Sequence, residues 1–397
     1  MKESLGIYIH VPYCVRKCRY CDFVSFPMGD SGGAAGCAGE SMPRRGSGAG
    51  NTWSSCPAGS PGDYFARLGQ QIDEAGRLYS ERFSIGSVFF GGGTPSAVDP
   101  SLVCGALALL KDAFSFEEGA EISLEANPGT VSAESLAAYR AAGFNRISLG
   151  VQSFDDRVLG IMGRIHSSAE AEEAVILARE SFSNVNVDLM MGVPGQTLRS
   201  WEDSLGRAIA LGVQHISFYS LQLEEGTPFF EDYRAGRLEL PDWEENRAMY
   251  RRALEMLRDG GYRHYEVSNA ARTGFECAHN LRYWTMEPYL GLGMAAHSFI
   301  DGVRFSESVR PEGAAPDVSE LKGDFVFTQL RLIDGLDTEL YKKLFGCGFE
   351  EDFGEALEEL IAEGMLRRSG PDRERIAFTA EGLDRTNPVM ERLLEEL

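Results

Sequence analysis

The sequence predicts an α/β chain: a partial (β/α)6 TIM-like barrel followed by a small C-terminal winged-helix-like α+β domain. Three observations predict it. Short β-rich runs alternate with amphipathic helical stretches over the first 300 residues, as right-handed βαβ crossovers around a parallel sheet require. The alternation runs to six units, fewer than a full eight-stranded closure needs, and no G-x-G-x-x-G follows the first strand, which weakens an open dinucleotide-binding sheet. Beyond about residue 320 the rhythm stops and a helix–helix–hairpin–helix order replaces it.

The predicted strands lie near 5–11, 85–90, 120–126, 146–151, 184–190 and 214–221. Helices are expected near 62–80, 101–114, 132–142, 168–181, 197–211 and 242–260. The core barrel is expected over 1–300, a linker over 301–319 and the C-terminal domain over 320–397. In that domain Phe353, Ala356, Leu357, Leu360 and Ile361 mark one apolar helix face, and Leu366 to Phe378 reads as a hairpin. Its 10 basic and 19 acidic side chains favour packing or docking over DNA binding. Residues 27–62 break the pattern, with 10 Gly, 6 Ser and 4 Pro in 36 positions. Such a composition buries too little apolar surface to offset ordering entropy, so a mobile insert is expected there. Cys37 and Cys56 inside it lack partners at ligand spacing and are read as bystanders.

Composition excludes several function classes. A formal charge of −22 argues against general affinity for nucleic acid or anionic membranes. No secretory leader is read at the N-terminus, and the longest uncharged apolar stretch, Leu102–Leu110, is far too short to span a bilayer. A cytoplasmic location is expected.

The chemistry concentrates in motifs at strand ends. Cys14, Cys18 and Cys21 stand as C-x3-C-x2-C directly after the strand Leu5–Pro12. Three thiolates on one loop can hold three irons of a cubane [4Fe–4S] cluster and leave the fourth open; zinc would need a fourth ligand, and only one C-x2-C pair is present. Gly91–Pro95 follows the strand Ser87–Phe90, and glycines there let backbone approach a ligand closely. Glu125 ends the third strand, Gln152 follows the fourth, Arg164 follows Ile161–Gly163, and Asp188 lies in the fifth. Singly such residues serve as often in turns and caps as in sites.

In this order the motifs resemble the radical S-adenosylmethionine (SAM) family, and most closely the branch that holds oxygen-independent coproporphyrinogen III dehydrogenase and the HemW-type heme chaperones. The resemblance spans nearly the whole chain apart from 27–62. It implies a barrel of the radical SAM type, a [4Fe–4S] cluster on Cys14, Cys18 and Cys21, and SAM chelated to the open iron and cleaved to a 5′-deoxyadenosyl radical. It places Tyr8, Tyr20, Gly92, Gly93, Thr94, Glu125, Gln152, Arg164 and Asp188 around SAM. Cys277–Trp284 resembles the H-N-x-x-Y-W motif of the HemW type and makes His279 a candidate heme ligand; the alternative is a histidine held by local hydrogen bonds. Cys277 is a weaker candidate, and His297 is read as a supporting residue. The dehydrogenases carry a further cysteine where this chain has Phe23. With no room for their N-terminal arm, this favours heme delivery over porphyrinogen decarboxylation, which stays the alternative reading. Heme and heme-accepting proteins, respiratory and membrane-associated ones among them, are the implied partners, with a homodimer as a form to test.

Overall fold

The computed structural model describes residues 2–28, 58–311 and 316–397. The insert's interior, with Cys37 and Cys56, lies outside the described residues. At its edges Phe26–Pro27 pairs in parallel with Tyr13–Cys14, and a helix begins at Pro61.

Six parallel strands form the barrel wall in sequence order: β1 (Glu3–Val11), β2 (Phe83–Gly92), β3 (Phe116–Ala126), β4 (Arg146–Gln152), β5 (Asn184–Met191) and β6 (His215–Ser220). Most residues of β1, β2, β4 and β5, and the C-terminal half of β3, are buried, as expected of parallel strands with helices outside and a filled interior. Val88, Phe90, Leu124, Ile147 and Val187 are wholly buried in one continuous core, each contributing about 1.5–3 kcal/mol relative to exposure.

Helices Pro61–Tyr79, Pro100–Ala113, Ala133–Ala142, Ser168–Ser181, Leu198–Ala210 and Trp243–Asp259 match the predicted ones. Each starts where a side chain caps it: Ser60, Asp99, Ser132, Ser167, Thr197 and Asp242 accept hydrogen bonds from the first-turn N–H groups. Those polar residues fix where each strand-to-helix loop ends, and so where the site residues on the loops stand.

The sheet runs on past the six predicted strands. Beside β1 lies a parallel strand, Tyr289–Leu292, followed by antiparallel His297–Ile300 and Val303–Ser306; beyond β6 lie antiparallel Asn269–Ala271 and Arg263–Glu266. The stretch 301–319 therefore carries the sheet's edge strand at Val303–Ser306.

Residues after 320 build a second core around Phe325, Tyr341, Phe349, Phe353, Leu357 and Leu393. The expected hairpin is present, with Leu366 opposite Phe378 and Ser369 opposite Arg375. This module joins the barrel through backbone pairing: Val267 N donates to Arg331 O at 3.0 Å and Ile333 N to Tyr265 O at 3.1 Å, which covers the edge strand Arg263–Glu266. Among the described residues no helix is long and apolar enough to cross a membrane.

Candidate functional site

The three cysteines leave the C-terminal end of β1 on one loop, with Cys14 buried and Cys18 and Cys21 half-buried. Burial pushes the Cys21 thiol up to about 11 and raises Cys14 as well, while the Lys17 ammonium opposes both. Cys14 Sγ lies 3.5 Å from Thr94 Oγ1, and Arg164 Nη1 donates to Cys18 Sγ at 3.3 Å. Among the described residues no three His, Cys, Asp or Glu side chains converge as ligands of a single ion do. A cubane binds each thiolate at a different iron, so thiols spread along one loop beside two cations suit it chemically.

The glycine loop is locked to the cysteine loop. Gly93 N donates to Val11 O at 2.9 Å and Thr94 N to Tyr13 O at 2.7 Å. Gly92 takes φ of +105°, the left-handed region, and any Cβ there would strike the His10 ring. Its N–H points at Glu125 Oε2, 3.2 Å away.

Deeper in the barrel, a cavity of about 220 Å³ is lined by Tyr8, Phe89, Glu125, Arg146, Asp188 and His279 among others. Burial, reinforced by the Asp188 carboxyl, pushes Glu125 up to about 8. Burial raises Asp188 too, against hydrogen bonds from Asn186 Nδ2 at 2.7 Å and Ser148 Oγ at 3.1 Å. The remaining candidates sit around this centre. Tyr219 Oη donates to Gln152 Oε1 at 2.9 Å, and Gln152 holds φ of +67°, a strained backbone for a residue with a side chain. Arg164 also donates to Asn127 Oδ1 and to the carbonyl of Gly150. Tyr20 packs with Val158, Met162 and Met190.

Two polar residues here had no place in the sequence reading. Arg146, 1 % exposed, points its guanidinium into the barrel, where its Nε lies 4.0 Å from Glu121 Oε2 and makes no hydrogen bond. Asn127 bridges Thr94 and Arg164, donating to Thr94 Oγ1 at 2.8 Å. An arginine opening an otherwise apolar strand, and an Asn-Pro step at a strand end, were the available signals.

His279 is wholly buried. Its Nδ1 meets Ser87 Oγ at 2.9 Å, its Nε2 meets Tyr283 Oη at 2.9 Å, and its ring stacks on Phe89 with centroids 5.4 Å apart. Burial, with Arg282 and Arg146 nearby, pushes it down to about 3. The geometry is that of a histidine held by local hydrogen bonds. Cys277, also buried, donates to Glu121 Oε1 at 3.4 Å, and burial raises it to about 12. Further along the same helix, Ala278–Trp284, the Arg331 guanidinium of the C-terminal module lies 5.5 Å from the Trp284 ring. His297 is exposed.

Residues 8–208 match the model of the radical SAM superfamily, and 323–384 that of the HemN C-terminal domain. The heme chaperone HemW of Lactococcus lactis is 31% identical over 99% of this chain and 98% of its own length. The chain belongs to the HemW family of the radical SAM superfamily. A second HemW, from Haemophilus influenzae, is 37% identical over 82% of this chain and 78% of its own. In fold the chain is similar to coproporphyrinogen III oxidase (HemN) from Escherichia coli, with a TM-score of 0.78 at 21% identity, covering 100% of this chain and 91% of that one. Membership implies a [4Fe–4S] cluster and SAM.

Proposed function

We propose that this chain is a heme chaperone of the HemW type: it binds heme and hands it to acceptor proteins, respiratory and membrane-associated ones included, from the cytoplasm. The observation that carries the reading is the match to HemW along 99% of the chain. Phe23, 64% exposed where the dehydrogenase resemblance would have a cysteine, agrees with it. The cluster would be held by Cys14, Cys18 and Cys21. SAM would lie between that loop, the Gly92–Thr94 turn, Tyr8, Tyr20, Glu125, Gln152, Arg164 and Asp188. When bound, the pair supplies one-electron chemistry; the chain's part is to orient it, exclude water and balance its charge.

Heme titration of the purified, cluster-loaded chain is the test. Saturable binding and transfer to an apo heme protein are expected, and absence of saturable binding sinks the reading. Anaerobic incubation with reductant, SAM and coproporphyrinogen III is expected to yield no protoporphyrinogen; its formation would establish the dehydrogenase instead.

The acid pair predicts a pH dependence. Glu125 is neutral below about 8 in the free chain and faces Asp188, Arg146, Tyr8 and His279. A cationic sulfonium or amine beside it favours the carboxylate, so binding expels a proton, and affinity rises with pH by up to about tenfold per unit until it levels above Glu125's pKa. Calorimetry of SAM binding in two buffers of different ionisation enthalpy should show proton release in wild type and a smaller release in Glu125→Gln. Equal values in both proteins would remove Glu125 from the SAM site.

A further inference from the structure

We infer that His297, not a histidine inside the barrel, supplies the imidazole that ligates heme iron; the inference rests on the heme-binding reading above. An axial ligand needs a ring nitrogen with a free lone pair and room for a macrocycle in front of it. The chain has 6 histidines, all of them described, and five fail on that ground. His10 is held between Tyr8 Oη at 3.1 Å and Val24 O at 2.7 Å. His215 is held between Asn186 Oδ1 at 2.6 Å and Tyr265 Oη at 2.8 Å. His279 has both nitrogens engaged as described. His166, 4% exposed with Nε2 near Val151 O at 3.2 Å, and His264, wedged against the rings of Phe218 and Tyr250, each keep one nitrogen without a hydrogen-bond partner, but that nitrogen is buried with no room for a macrocycle.

The cavity beside His279 repeats the exclusion on size. At about 220 Å³ it lies below the range of roughly 300–1,000 Å³ that drug-sized ligands occupy, and a heme is no smaller than those. Admitting the macrocycle there would also break the Ser87 and Tyr283 hydrogen bonds of a buried ring.

His297 meets both requirements. It is exposed, and among the described residues no hydrogen bond or ion pair holds its ring. Its position is fixed at the cluster end of the barrel. Tyr289–Leu292 runs parallel to β1, with Leu292 opposite Ile9, so the following turn emerges at the end that carries Cys14. That turn is pinned: Met294 N donates to Tyr64 Oη at 3.1 Å, and Tyr64 Oη donates to His10 O at 2.6 Å. The same rim carries exposed apolar side chains, Val15 at 44%, Phe23 at 64% and Val24 at 39%, against which a porphyrin face can lie.

The experiment titrates the full-length chain with iron protoporphyrin IX and follows the Soret band and the ferric electron paramagnetic resonance spectrum. His297→Ala should weaken binding about tenfold or more and lose the imidazole-ligated signature, and added imidazole should restore that signature. His279→Ala should keep the signature. The exposed position means His297→Ala retains the wild-type melting temperature, which separates ligation from unfolding. An unchanged spectrum and affinity in His297→Ala, or loss of the signature in His279→Ala alone, overturns the ligand assignment and leaves heme binding standing. No saturable binding by the wild-type chain overturns both.

Discussion

Cys18→Ala purified anaerobically will lose iron and sulfide together, and with them the charge-transfer absorption near the cluster band, while its far-ultraviolet circular dichroism stays that of the wild type. The physical reason is the separation of the loop from the core. Cys18 is half-buried on an outer turn and contacts Arg164, whereas the barrel's stability resides in wholly buried residues such as Leu5, Ile7, Val88 and Phe90. Removing one of three thiolates leaves an incomplete ligand set. Cys104→Ala, on the outer helix Pro100–Ala113 with its Sγ directed to Ala138 O, is the matched control and should load iron normally. Retention of a full cluster by Cys18→Ala would refute the assignment of the loop.

Gly93→Ala will destabilise the chain by about 1–3 kcal/mol and lower its cluster occupancy, an overpacking effect against main chain. A Cβ at Gly93 would stand 2.6 Å from Tyr13 O, 2.8 Å from Val11 O and 2.9 Å from Tyr13 N. These are backbone atoms of the segment that delivers Cys14, so no side-chain rotation relieves the clash. The chain must part β1 from the glycine turn and carry Cys14 away from Thr94. Gly105→Ala gives the opposite sign. Gly105 is an exposed helical position where a Cβ meets nothing within 4 Å, and the change should stabilise by about 0.5–1 kcal/mol. Chemical denaturation of the apo proteins measures both; equal midpoints for the two variants would refute the packing account.

The barrel was legible because its strands are long, apolar and separated by capped helices, so the period of the pattern survives along six or more residues. The five flanking strands are three or four residues each, too short for any period, and they form because an existing sheet edge offers them partners. Glu125, near the end of its strand, and Asp188, within its own, line one cavity because strand order sets their neighbours. Arg146 could not be placed, since an arginine at a strand start reads as a surface residue until the barrel closes over it. At His279 the motif was visible in the sequence, but the two hydrogen bonds that occupy its ring were not, since one comes from Ser87, far away in sequence, and the other from Tyr283 one turn on.

The backbone pairing of Arg331 and Ile333 with the strand Arg263–Glu266 bears on inheritance. A barrel severed near residue 320 would present bare peptide groups at one flank and invite association with other chains through them. The tail module is thus no cassette to be exchanged freely between lineages. Gene fusions that replace it must bring a segment able to lie along that same flank, which ties the evolution of the two parts together.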